Sequence, residues 1–281
     1  MVLLVLRRRI FYYFFASDVG GRVWRFDINK ENSKASEFAT AGMIFDANGD
    51  ANSPYQRFYH APSISYFTEE DSDGFLSLAI GSGFRAHPLE SGSEDSFYIL
   101  KDYNLISAPE TYTKLTPAGL ADLASSHATD EQLRNGWKLA LPEGEKNLSK
   151  ALTTNGDIFF TTFSPTVDSD NDGSCLADIG SSYAYYIDVK GDNKETDDET
   201  DDGTDPPIIV IRDPIENPGI LPEPIVLLPP NPKCSGDDCD TEDPTDSCET
   251  IGSVILSGTQ TLSGGISRCE LVQRDYWLQN K

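Results

Sequence analysis

An all-β fold is what this sequence predicts, a partial β-propeller of about three blades followed by an extended Pro-rich tail. Short aromatic-rich runs recur up to Val189, Gly-containing turn clusters separate them, and from Gly191 onward acidic residues and proline displace large apolar groups. Recurrent antiparallel units of this kind bury against their neighbours the faces that none could bury alone.

The series opens with residues 11–16 and 22–28, rich in aromatic and β-branched side chains and separated by Asp18-Val19-Gly20-Gly21, a cluster able to turn the chain through positive φ. Residues 42–45 supply an outer strand of the same blade. Residues 63–67 alternate polar and apolar, the acidic run 69–74 turns the chain, and 75–81 return as an apolar strand. Residues 96–101 and 136–141 complete this second blade. Between them Thr116 precedes Pro117, and Thr129 precedes a short stretch ended by Gly136, so each threonine is placed to cap a helical turn. Residues 150–153 and 158–163 flank Asn155-Gly156, a strong hairpin signal, and 182–189 add a third strand. Three blades are fewer than the roughly four to eight that close a propeller. The chain is therefore expected to belong to a larger propeller or to assemble with another one.

Four regions follow: an atypical leader over 1–10, the β domain over 11–190, an acidic and Pro-rich linker over 191–232, and a Cys-containing tail over 233–281. In the leader, Arg7-Arg8-Arg9 interrupts the apolar run and aromatic residues follow, a pattern that fits neither a secretory signal nor a membrane span. Nine prolines between Pro206 and Pro232 predict extended backbone. Two apolar islands, Ile208-Ile209-Val210-Ile211 and Ile225-Val226-Leu227-Leu228, are expected to lie along the β domain, and 253–262 to form a small hairpin.

A formal net charge of -24 over 281 residues argues against a nucleic-acid partner, which needs clustered Lys and Arg. Cys234, Cys239, Cys248 and Cys269 fall in the tail, where little apolar surface orders the chain. Two disulfides in an oxidising compartment are the expectation, with three connectivities open, and a structural zinc site is the rival.

Asp168-Ser169-Asp170-Asn171-Asp172-Gly173 places alternate carboxylates before a glycine, the arrangement that wraps a hard cation in oxygen ligands. Asp168, Asp170 and Asp172 are thus calcium candidates, although the twelfth position of such a loop is Ile179 and a solvated acidic turn is the alternative. His60, His87 and His127 lie far apart with no metal-ligand spacing, and no Ser–His–Asp set or phosphate loop can be assembled. Trp24, Trp137 and Trp277, with Phe58, Tyr59 and Tyr66, offer an aromatic surface, but most are better used in packing between blades.

Two blocks carry a family resemblance. Asp18-Val19-Gly20-Gly21-Arg22-Val23-Trp24-Arg25-Phe26-Asp27 and Gly81-Ser82-Gly83-Phe84-Arg85-Ala86-His87-Pro88-Leu89 resemble, in order, blade motifs in the C-terminal domain of the type IV pilus tip-associated adhesin and assembly proteins, the PilY family. Phe159-Phe160-Thr161-Thr162-Phe163-Ser164-Pro165 and the ending Arg274-Asp275-Tyr276-Trp277-Leu278 are also similar. The resemblance implies a quinoprotein-like propeller acting without catalysis in pilus assembly, twitching motility and surface adhesion. The implied partners are pilin subunits or a surface ligand, and the implied location is extracellular, at the pilus tip or outer membrane. The family's calcium loop falls at residues 2–9, which carry no carboxylate here, so that site does not transfer. A quinoprotein dehydrogenase is the alternative on the same fold, yet the adjacent cysteines of its alcohol-oxidising members do not occur. A calcium-binding secreted interaction domain is the remaining reading.

Overall fold

The computed structural model describes residues 2–5, 12–29, 34, 37–51, 53–69, 72–105, 107–124, 128–154, 157–165, 180–189, 209–215, 219–227, 250–251, 254–257, 260–263 and 266–267. Strands dominate throughout, and the fold is all-β.

The first sheet contains β1 (Val2–Val5), β2 (Tyr12–Asp18), β3 (Arg22–Ile28) and β4 (Ala39–Asp46), antiparallel and paired in chain order. Alternation in β3 sends Val23, Arg25 and Asp27 to the covered face and leaves the residues between them half-buried. Gly21 turns the β2–β3 hairpin at φ 74, where an added Cβ would stand 2.7 Å from the Gln56 carbonyl oxygen. The leader, given no role by its sequence, supplies β1.

The second sheet contains β5 (Ser63–Glu69), β6 (Ser72–Gly81), β7 (Ser96–Asp102), β8 (Ala121–Asp122) and β9 (Gly136–Ala140), in the order β5-β6-β7-β9-β8. The acidic run expected to turn the chain over 69–74 is largely strand, since Glu69 pairs with Ser72 and only residues 70–71 connect them. Ahead of β9, α1 (Asp130–Asn135) starts at a full capping box, with Gln132 N donating to Thr129 Oγ1 and Thr129 N donating to Gln132 Oε1. At the other expected cap the backbone forms a single 3-10 turn, Pro117–Gly119, and Thr116 makes no side-chain cap.

In the third sheet β10 (Leu152–Thr154), β11 (Asp157–Ser164), β12 (Ser181–Asp188) and β13 (Ile209–Pro214) pair antiparallel in chain order. The first apolar island thus becomes a fourth strand rather than a loose cover. Asn155 and Gly156 lie outside the described residues, but the Thr154–Asp157 pair leaves a two-residue connection between the strands.

The chain divides into two compact units, 1–223 and 224–281. Within the second, β14 (Ile225–Leu227), β16 (Val254–Ser257) and β17 (Gln260–Ser263) form one small sheet, and β15 (Thr250–Ile251) pairs with β18 (Ile266–Ser267). The β16–β17 pair is the hairpin expected over 253–262.

In the first unit the second sheet is packed on both faces. Leu76, Leu78, Ile80, Tyr98 and Leu100 meet Tyr13, Phe15, Val23 and Phe45 of the first sheet in one apolar core. The residues out of phase with them, Ala79, Phe97, Ile99 and Trp137, meet Ile158, Phe160, Tyr185 and Ile187 of the third. Phe97 and Phe160 stack with ring centroids 3.8 Å apart at 6°. Burying such side chains contributes about 1.5–3 kcal/mol each, so the period of two in β6 and β7 is what holds three sheets in one stack. None of these sheets closes on itself.

Candidate functional site

Topology gathers four connections at one end of the stack. Arg22 pairs with Asp46, Gly81 with Phe97, and Ser96 with Ala140. The β2–β3 turn, the crossover 47–62, the β6–β7 loop 82–95 and the crossover 141–151 therefore all emerge on the same side.

A chain of side chains stitches these connections together. Asp18 Oδ1 accepts from Gly20 N at 2.8 Å and its Oδ2 from Trp24 Nε1 at 3.0 Å, which fixes the first turn. Asn48 Nδ2 donates to Gly20 O at 2.7 Å, and its Oδ1 accepts from Gln56 N at 2.7 Å. Gln56, buried, donates from Nε2 to Glu94 O at 2.7 Å. Ser82 Oγ lies between Gln56 Oε1 and Asp95 Oδ1, the latter at 2.8 Å, and accepts from Ser96 N at 2.9 Å. A hydroxyl has one proton, so Gln56 and Asp95 share it. Beneath the loop Lys146 Nζ donates to Gly144 O at 2.8 Å and to Glu90 O.

Asp95 is only 5% exposed, and its Oδ2 makes no hydrogen bond of good geometry among the described residues, although the Ser93 hydroxyl is close enough to act on the carboxyl. Burial pushes the Asp95 carboxyl upward, more strongly than the Ser82 and Ser93 hydroxyls and the Lys146 and Arg57 charges pull it down. Burial likewise pulls the Lys146 ammonium down, against Asp95 and Glu90.

Two clefts open beside this seam, one of about 550 Å³ lined by Tyr55, Arg57, Glu94 and Asp95, the other of about 660 Å³ lined by Ala86, Pro88 and Leu89; Phe84 and Glu90 line both. The Arg57 guanidinium sits 4.6 Å from the Tyr55 ring centroid and 3.9 Å from that of Phe84. Val19, Tyr55, Tyr59 and Leu89 are exposed at this end, between 37% and 68%.

His60 Nε2 is 2.9 Å from Leu148 O and 3.2 Å from Arg85 Nη1, a structural position, and His87 is exposed against Phe84. Among the described residues no three His, Cys, Asp or Glu side chains could hold a metal, and no helix is long and apolar enough to cross a membrane.

Of the residues singled out in the sequence, Asp168, Asp170, Asp172, Cys234, Cys239, Cys248, Cys269, His127 and Trp277 lie outside the described residues. Phe58 and Trp137 are core, as expected, whereas Tyr59 and Tyr66 are exposed. Gln56, Ser82, Asp95 and Lys146 carried no sequence-level signal as a group, although Ser82 sits inside the second block of resemblance. No family model, curated protein or solved structure matches this chain.

Proposed function

We propose that this chain is a non-catalytic recognition module, the C-terminal part of a pilus-tip adhesin and assembly factor like those its motifs resemble. Its three large sheets serve as consecutive blades of a quinoprotein-like propeller, and it works outside the cell. Pilin subunits or a surface ligand meet the loop end. The observation that carries this reading is the use made of the two blocks of resemblance. The first supplies the turn held by Asp18, the second supplies Ser82 and the loop behind both clefts, and Asn48 and Gln56 together tie one to the other.

The connectivity also favours blades. Each crossover leaves the last or near-last strand of one sheet and enters the first strand of the next, and those first strands adjoin, with Thr153 Oγ1 donating to Ser63 Oγ at 3.1 Å. Deleting the gene in its piliated host should abolish surface pili or twitching, and the wild-type gene should restore them. Unchanged piliation and unchanged attachment would remove the assignment. Calcium at Asp168, Asp170 and Asp172 belongs to the same proposal, and titration calorimetry of the wild type against Asp170→Ala tests it, since equal heats discard the site.

A further inference from the structure

We infer that the paired clefts at the loop end bind a protein segment that presents an apolar side chain beside a lysine or arginine. This rests on the recognition reading above and names the chemistry of its partner. The apolar half is the cleft of Ala86, Pro88 and Leu89, whose Leu89 is 68% exposed. The cationic half is the neighbouring cleft, where among the described residues Glu90, Glu94 and Asp95 share the lining with one guanidinium, that of Arg57, already engaged by the Tyr55 and Phe84 rings. Phe84 and Glu90 form the shared wall, so an aliphatic group and a cation on neighbouring residues of one extended segment reach both clefts together.

Asp95 is the independent sign of a missing partner. Asp95 lines the cationic cleft, is 5% exposed and makes no hydrogen bond of good geometry through Oδ2, so its charge is only partly answered within the described residues, by the Ser93 hydroxyl and the Lys146 and Arg57 charges. The Ser82 hydroxyl holds its other oxygen in place, which leaves Oδ2 oriented without further ordering. The chain's net charge of -24 draws basic partners from a distance and raises their rate of encounter. An acidic ligand would meet the same three carboxylates and be rejected.

The test is selection of a displayed random 12-residue peptide library on the full chain, followed by fluorescence anisotropy with the enriched peptides. The expected result is enrichment of peptides with Lys or Arg within two positions of an apolar residue. The Glu90→Gln/Glu94→Gln double variant and Leu89→Ser should each weaken the enriched peptides by about tenfold or more, with thermal melting unchanged. Asp95→Asn should weaken them less, since an amide retains one acceptor. Enriched peptides without basic residues, affinity unmoved in the double variant, or binding to a glycan array without any peptide binding would each overturn the inference. Because the assay contains no pili, its failure leaves the pilus reading to the deletion experiment, and loss of the pilus reading leaves the peptide measurement standing.

Discussion

Two buried charge clusters, one between the first and second sheets and one at the loop end, solve the same problem in opposite ways. Arg25 is fully buried, yet all five of its N–H groups are used: Nε on Asp27, Nη1 on Asp102 and Asn104 O at 2.7 Å each, and Nη2 on Asp27 at 2.7 Å and Ser107 O at 3.3 Å. Tyr112 donates to Asp27 Oδ2 at 2.8 Å, the oxygen that also accepts from Arg25 Nε, and the guanidinium sits 4.5 Å from the Tyr13 ring centroid. Burial alone would pull Arg25 down, but Asp27 and Asp102 hold it above its ordinary range, while burial pushes the Tyr13 hydroxyl up to about 12. Asp95, by contrast, has a well-formed bond on one oxygen only, from Ser82, and the Ser93 hydroxyl, Lys146 and Arg57 answer the rest of its charge weakly. A closed network holds sheets together, whereas an open one beside a cleft is available to a partner.

Removing Arg25 should produce the largest loss. Arg25→Ala strands Asp27 and Asp102 as uncompensated buried charges, so urea unfolding followed by tryptophan fluorescence should show about 3–5 kcal/mol less stability. A loss below about 1 kcal/mol would mean that the cluster does not hold the first two sheets together.

Glu145 is the intermediate case. It is fully buried, accepts from Thr162 Oγ1 and Tyr185 OH on one oxygen, and from Arg212 Nε and Nη2 at 3.2 and 2.7 Å on the other. Arg212 is a third exposed, which weakens the ion pair itself. Glu145→Gln keeps the shape and one acceptor, so the expected loss is about 1–2 kcal/mol by the same unfolding assay. A loss as large as that of Arg25→Ala would place this seam with the closed networks.

The sequence made the strands visible and hid both charge clusters. Strand periodicity acts within a few residues, so β3 appears at its predicted bounds, and the Thr129 cap of α1 was readable because it adjoins the turn it caps, whereas the Gln132 half of the box was not foreseen. β1 and β13 were obscured, one by the arginines that follow it and the other by its prolines, because both depend on a partner strand rather than on their own pattern. The loop-end seam was least legible. Gln56, Ser82, Asp95 and Lys146 come from three separate connections and meet only once the sheets are stacked, whereas the acidic loop at Asp168 drew notice because its carboxylates alternate within five residues.

Asp95→Asn should have the smallest effect and the opposite sign. Burial holds the folded carboxyl above its unfolded value of about 3.9. A raised carboxylate favours the folded state only while protonated, so its contribution is full below the unfolded value and is lost as pH rises through the folded one. At pH 7 the ionised, half-answered Asp95 therefore weakens the fold, and the amide variant should be more stable by about 1 kcal/mol. As pH falls toward about 4 the wild-type carboxyl protonates and the difference should close. Urea midpoints of both proteins across that interval measure it. A variant less stable than the wild type at pH 7 would mean that Lys146 and Arg57 already satisfy the carboxylate, and the contrast with the Arg25 cluster would disappear.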